Sequence, residues 1–301
     1  MEYERIDLVQ PRYGPVNAYR IGDTLIDTGH VCPESRERVL AALDGSLAGI
    51  DRVVLTHPHM DHVGGSLTID ALTALPHVCF EGADDILRNF TDYVAEARVE
   101  SVALSSGMVD GDPEPDARYF PLDIEYASED IAFERVVGAG DTVAVGPYDC
   151  EVVHTPGHSH QHMALHHEPS GVMLSGDIVS TNGHFMYGPV HWDIGAYKTG
   201  LRRIRERDPD LLLPGHGDPM ENPAERVADA LAKAERTEQA IVDAVEQQGA
   251  LASHELAVEA LNATPKTTSF LANVAAVYAI HLAEQGKLSV ERRPYVVAAP
   301  A

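Results

Sequence analysis

Seven consecutive residues, Thr56-His57-Pro58-His59-Met60-Asp61-His62, place three imidazoles and a carboxylate in one short stretch, and this constrains the fold more than any other part of the chain. In an extended segment alternate side chains share a face, so His57, His59 and Asp61 would enter one cavity while His62 reaches it from a turn. The preceding Arg52-Val53-Val54-Leu55 is apolar and β-branched, a buried strand that delivers the ligands at its C-terminal end. Imidazole together with carboxylate suits zinc, manganese or iron. Histidines in an ordinary surface loop are the alternative, but such a loop rarely carries three of them with an aspartate at even spacing.

Further candidates follow, each closing its own apolar strand: His158 in Thr155-Pro156-Gly157-His158, Asp177 in Leu174-Ser175-Gly176-Asp177, and His216 in Pro214-Gly215-His216-Gly217. His-x-His-x-Asp-His followed in order by His, Asp and His resembles the metallo-β-lactamase fold superfamily over about residues 1–218, with all seven ligand positions of its dinuclear form filled. The resemblance implies an α/β fold, a four-layer αββα sandwich with its ligands at one common edge. It also implies two divalent ions, zinc first, with manganese and iron as alternatives. His57, His59 and His158 would hold one, Asp61, His62 and His216 the other, and Asp177 would bridge with one oxygen to each. Such ions, about 3.5–4 Å apart, share a water and lower its pKa towards about 7, and Asp61 can accept that water's proton. Asp27, at the end of Leu25-Ile26-Asp27-Thr28-Gly29, matches an aspartate that lies behind the metals in the family; a turn-capping role is the alternative.

Apolar spacing and turn residues outline the rest. Tyr3 to Val9, Val16 to Ile21 and Thr24 to Asp27 read as strands, with Gly22-Asp23 a two-residue hairpin. Glu34 to Gly49 reads as a helix through Val39, Leu40, Leu43 and Leu47. Val172 to Leu174, a helix and Leu211 to Leu213 repeat the strand-helix-strand order of the first half, so two sheets face each other with helices outside. Residues 91–135, rich in Asp, Glu, Pro and Gly, read as an insertion at the cleft, with Tyr93, Tyr119, Phe120 and Tyr126 either touching substrate or packing it down. Between Asp177 and His216, His184 or Tyr197 could donate a proton or hydrogen bond to a leaving group or oxyanion, although Tyr197 also opens an amphipathic helix through Leu201 and Ile204. Among the histidines after His158, His162 is the best placed to support a ligand.

After Gly217 the texture is helical: one helix from Pro223 to Gly249, a second capped by Ser253, a third opened by Thr267 or Thr268 and ending near Gly286, then two strand-like runs. Residues 219–301 thus read as a small winged-helix-like domain. It resembles the C-terminal extension of one glyoxalase II-like branch of metallo-β-lactamase-fold hydrolases that includes an endoribonuclease.

The chain has 47 acidic and 22 basic residues, a formal net charge of −25, and only four lysines, Lys198, Lys233, Lys266 and Lys287. This acidic, lysine-poor surface is similar to that of halophile proteins, in which salt screens self-repulsion. The same charge disfavours nucleic acid as a partner, since phosphate binding needs clustered Lys and Arg; residues 219–301 alone carry 11 acids and 7 bases. No charged, apolar leader opens the chain and no apolar run reaches about eighteen residues, which predicts a cytoplasmic protein with no membrane partner. Cys32, Cys79 and Cys150 stand far apart and read as reduced, buried thiols.

The resemblance and the full ligand set lead to a dinuclear metal-dependent hydrolase acting on a small ester, thioester or lactone. A metal-dependent endoribonuclease or phosphodiesterase is the alternative, followed by an iron-dependent sulfur dioxygenase and by a binding module that keeps its metal for structure. The partner is a small-molecule substrate, and the oligomeric state is left open, a homodimer included.

Overall fold

The computed structural model describes residues 1–11, 14–45, 47–105, 130–181, 193–265, 267–291 and 296–298. Strands β1 (Glu4–Leu8), β2 (Val16–Ile21), β3 (Thr24–Ile26), β4 (Arg52–Val54), β5 (Pro76–Phe80) and β6 (Ala132–Val137) form one sheet in that order. The first three pair antiparallel, with the Gly22-Asp23 turn between β2 and β3, and the rest pair parallel. A second sheet holds β7 (Thr142–Val145), β8 (Tyr148–His154), β9 (Met163–His167), β10 (Val172–Gly176), β11 (Leu211–Pro214) and β12 (Met220–Glu221), ordered β12-β11-β10-β9-β8-β7. Its one parallel pair, β10 with β11, is joined through a helix over Ile194–Arg207.

Burial explains the layers. Successive residues of β10 point to opposite faces: Val172 and Leu174 enter the core between the sheets with Ile21, Val54, Val78, Val152 and Leu165, whereas Met173 packs outward against Leu201 and Ile204 of the connecting helix. Strands covered on both faces, β10 among them, read as continuous apolar runs. The outer face of the first sheet is covered by α1 (Pro33–Leu43), α2 (Met60–Thr68), α3 (Asp70–Thr73), α4 (Ala83–Arg88) and α5 (Phe90–Ser105), through Val39, Val63, Leu67, Leu72, Leu87 and Phe90. The connecting helix of the second sheet is α6 (Ile194–Arg207). The result is the expected αββα sandwich. Truncating a wholly buried residue such as Leu174 to alanine would cost about 2–5 kcal/mol.

The C-terminal helices are α7 (Ala224–Gln248), α8 (Ser253–Leu261) and α9 (Thr268–Glu284), beside a three-stranded antiparallel sheet of β13 (Leu251–Ala252), β14 (Ser289–Glu291) and β15 (Val296–Ala298) in the order β13-β15-β14. They share a core that also takes Ile194 of α6. On α7, Glu238 is buried at 9% exposure because it is paired, with Lys198 of α6 and, at 3.2 Å, with His281 of α9.

Three expectations need correction. The stretch 91–135 is not an insertion throughout: α5 runs to Ser105 and β6 is an integral strand, disguised because most of its residues face outward and four of its six are exposed. Residues 106–129, with Tyr119, Phe120 and Tyr126, lie outside the described residues. Helix α1 stops at Leu43 rather than Gly49; Leu47, which matches the helical period, is buried from a turn instead, its N–H donating to Ala42 O at 2.6 Å. Helix α8 begins one residue early relative to a Ser253 cap, because Glu255 Oε2 accepts the Ala252 N–H at 2.8 Å. All three cysteines are free and buried. Among the described residues no helix is long and apolar enough to cross a membrane.

Candidate metal centre

The seven predicted ligands converge at the ends of strands from both sheets, and all but His59 are at most 4% exposed. The first stretch is not extended throughout. Residues 56–59 are irregular, α2 starts at Met60, and Asp61 and His62 project from its first turn. A helix start places Asp61 and His62 side by side, where a strand would have sent them to opposite faces. The loops of the two sheets are stitched together: Met163 N–H donates to Thr56 O at 2.9 Å, and Asn17 N–H to Gly215 O at 2.7 Å.

One group of donors is His57 Nε2, His59 Nδ1 and His158 Nε2, with 2.8 Å between His59 and His158 and 3.2 Å between His158 and His57. Two nitrogens each about 2.05 Å from one tetrahedral ion would lie about 3.3 Å apart, so this group suits a single ion. The other group is Asp61, His62 and His216, in which Asp61 Oδ2 lies 3.3 Å from His216 Nε2 and Asp61 Oδ1 4.0 Å from His62 Nε2. Asp177 belongs to both. Its Oδ2 lies 3.3 Å from His62 Nε2, 3.4 Å from His216 Nε2 and 3.5 Å from His158 Nε2. The expectation of one oxygen for each group is thus revised: the same oxygen faces both.

The surroundings fix which ring nitrogen carries the lone pair. His62 Nδ1 donates to Asp27 Oδ2 at 2.8 Å, and His216 Nδ1 to Pro15 O at 2.9 Å, leaving both Nε2 atoms as acceptors. Asp27 also accepts from Thr56 N (2.8 Å) and Thr56 Oγ1 (2.8 Å), so that hydroxyl is left to accept from His57 Nδ1 at 3.0 Å, and His57 Nε2 is freed likewise. Asp27 therefore does more than cap a turn: held at φ 57°, it orients two imidazoles. His162 supports the centre as expected, its Nε2 accepting the Asp177 N–H at 2.9 Å while Nδ1 donates to Thr155 Oγ1 at 2.7 Å. Gly215 is required by contact, since a Cβ there would overlap Asp177 Oδ1 and lie 2.7 Å from His62 Cε1.

The electrostatics call for a cation. Asp27, Asp61 and Asp177 are all buried, and among the described residues their ion-pair partners are histidines, with no Lys or Arg. Burial pulls His216 down, but Asp177 and Asp61 outweigh it and push its pKa up to about 10; His62 rises for the same reason, opposed by burial and driven by Asp177, Asp27 and Asp61. Burial and then neighbouring imidazoles hold His57 and His158 well below the usual value, and burial lowers His162 to about 3. Asp177 Oδ1 and Oδ2, His62 Nε2 and His216 Nε2 are buried with no hydrogen-bond partner among the described residues. Buried carboxylates and correctly oriented imidazoles with no acceptor or donor between them fit divalent metal.

Two predicted donors fare differently. Tyr197 is 1% exposed and packs among Val153, Ala164, Ile178 and Leu201, with burial and Tyr278 raising its pKa, so the proton-donating role is withdrawn in favour of core packing. Its backbone backs the turn before His158, where a Cβ on Gly157 would overlap it. His184 lies outside the described residues, with Tyr187, His191 and Trp192. Sequence reasoning missed Thr56, Gln10 and His30. Gln10 Nε2 donates to Asp61 Oδ2 at 3.4 Å. His30 accepts from Cys32 N at Nδ1 (2.9 Å), leaving a buried Nε2–H with no partner among the described residues.

Asp27→Asn keeps a residue that tolerates positive φ and removes the charge that orients His62. Metal affinity is expected to fall about 10–100-fold, measured by competition with a chromophoric chelator.

Two face-to-face sheets flanked by helices carry a His/Asp cluster fit for metal at their shared edge, and with the relatives reported below this makes the chain a metal-dependent hydrolase. The chain belongs to the metallo-beta-lactamase superfamily, which it matches over residues 11–216. A Bacillus subtilis protein named "Probable metallo-hydrolase YqjP" is 29% identical over 69% of this chain and 68% of its own length. The atrochrysone carboxyl ACP thioesterase of Emericella nidulans is 26% identical over 75% of this chain, which spans only 59% of that protein. Among solved structures, a metallo-beta-lactamase family protein of Thermus thermophilus superposes with a TM-score of 0.74 at 20% identity, covering 99% of this chain and 98% of that one. A beta-lactamase domain protein of Burkholderia ambifaria gives 0.75 at 22% identity, covering 99% and 91%. These two share the fold over nearly the whole chain, C-terminal helices included.

Proposed function

We propose that the chain is a dinuclear metal-dependent hydrolase of a small ester, thioester or lactone. The observation that carries this reading is Asp177 Oδ2, held 3.3–3.5 Å from the Nε2 atoms of three histidines drawn from two donor groups. When bound, two divalent ions, zinc by preference, supply Lewis-acid polarisation of a carbonyl and a water of lowered pKa. The chain's own residues do the rest. His57, His59 and His158 would hold one ion and Asp61, His62 and His216 the other. Asp27 and Thr56 keep the ring lone pairs aimed inward. Asp61, opposed by burial but kept ionised by His62 and His216, is read as the carboxylate that accepts a proton.

The thioesterase relatives are named for an acyl thioester, which weighs the proposal towards acyl substrates. The formal charge of −25 weighs against nucleic acid. A panel of thioesters, lactones, phosphodiesters and a β-lactam, assayed in high salt with added zinc or manganese, tests the reading. The expected result is chelator-sensitive turnover of an acyl substrate; phosphodiester cleavage outpacing all acyl substrates would overturn it.

We read residues 219–301 as a winged-helix-like module docked on a catalytic domain of residues 1–218, with Glu238, Lys198 and His281 at the junction. We also read the acidic surface as salt-adapted, in a protein working in the cytoplasm. Raising KCl from 0.1 to 2 M is expected to raise the thermal unfolding midpoint, because the Debye length shrinks from about 10 Å to under 3 Å. A midpoint that stays level or falls in calorimetry would remove the salt-adaptation reading.

A further inference from the structure

Gln10 follows β1 and lies one residue before the stretch 11–216 that matches the superfamily. It is 6% exposed, and its Nε2 donates to Asp61 Oδ2 at 3.4 Å across 51 residues of chain. That oxygen is the one 3.3 Å from His216 Nε2, while Oδ1 stays 4.0 Å from His62 Nε2. A carboxylate turns freely about its last torsion, so something must choose which oxygen faces the ligand group. An amide N–H2 can only donate and carries no charge. It can hold one oxygen of Asp61 without repelling a cation, as Lys would, or competing for it, as Glu would. The loop bearing it is itself held: Leu8 pairs with Val16, and Cys32 Sγ donates to Val9 O at 3.9 Å.

We propose that Gln10 is a positioning residue that holds the Asp61 carboxylate with Oδ2 turned to His216, and so sets the affinity of the Asp61, His62 and His216 group for its ion. This rests on the dinuclear reading above. Asp61 belongs to the second group, so the effect of this bond is expected there rather than in the His57, His59 and His158 group.

The test is cobalt(II) titration of the metal-free protein, followed by its d–d absorption, in wild type, Gln10→Met and Gln10→Leu. Both variants keep an apolar stem and remove the donor. Wild type is expected to take two equivalents in distinguishable steps. In the variants the first step keeps its spectrum and affinity, and the second weakens about 10–100-fold with an altered band. Unchanged binding of both equivalents in both variants would overturn the proposal. So would equal weakening of both steps, which a merely structural role produces, as would a variant that does not fold while the other binds two ions normally. If wild type takes only one equivalent, the dinuclear reading fails, and this inference with it; two equivalents in wild type and in the variants alike sink only the inference.

Discussion

Asp177→Ala is expected to abolish turnover and strip metal from the protein while leaving its helix content intact. Its Oδ2 is the atom shared by His62, His158 and His216, so its loss takes a donor from both groups at once and removes one of the buried charges that balance a dication. Replacing a residue that only orients a ligand costs about 10–100-fold; removing the shared donor should exceed about 100-fold in turnover and, on the dinuclear proposal, lower metal content from two ions per chain to one or none. The backbone should survive, because Asp177 N–H is held by His162 and the residue sits in a loop after β10 rather than in the cores. His59→Ala should also abolish turnover, with metal lost from the His57, His59 and His158 group. Metal analysis, steady-state kinetics and far-ultraviolet circular dichroism check this together. Full turnover in either variant would sink the assignment.

Chelation should produce the second large effect, a fall of about 10 °C in the unfolding midpoint. A ligand at about a thousand times its dissociation constant adds about 4 kcal/mol to the folded state, and about 2–4 °C accompanies each kcal/mol in a domain somewhat smaller than this chain. The pH dependence should also change sign. In the metal-free protein His216, with its pKa raised to about 10, and His62, raised likewise, stabilise the fold when protonated. That contribution is fully present below the unfolded value of about 6.5 and drains away as pH climbs. Below about 6.5 the buried, neutral His57, His158 and His162 act the other way, so the metal-free optimum lies near 6.5. Loaded with metal, the centre needs unprotonated imidazoles, and its affinity grows with pH. Between pH 6.5 and 8.5 the metal-free midpoint should therefore fall while the loaded one holds or rises. Calorimetry on both forms decides it, and a metal-free midpoint that rises through this window would contradict the charge balance described for the centre.

Much of this centre can be read in the sequence because its ligands are of the few residue types that bind metal and each closes a short apolar run. The sandwich is legible for a similar reason: doubly covered strands such as β10 announce themselves as unbroken apolar segments. What escapes notice is whatever depends on a distant partner. Gln10 acquires meaning through Asp61 and Thr56 through Asp27, 51 and 29 residues away. Strand β6 hides because Glu134 and Arg135 face outward, and Tyr197 misleads because an aromatic near a ligand loop looks the same in sequence whether its ring turns to the cleft or to the core.

The stitches from Met163 to Thr56 and from Asn17 to Gly215 join halves of the sandwich that each own only part of the donor set. On the proposed assignment neither half carries a complete group, since His57 and His59 need His158 while Asp61 and His62 need His216, so tight loading is expected to follow docking. The ion then works as a latch closed late: it should slow the parting of the halves far more than it hastens their meeting, and its benefit should be found in a longer lifetime of the native state rather than in faster folding.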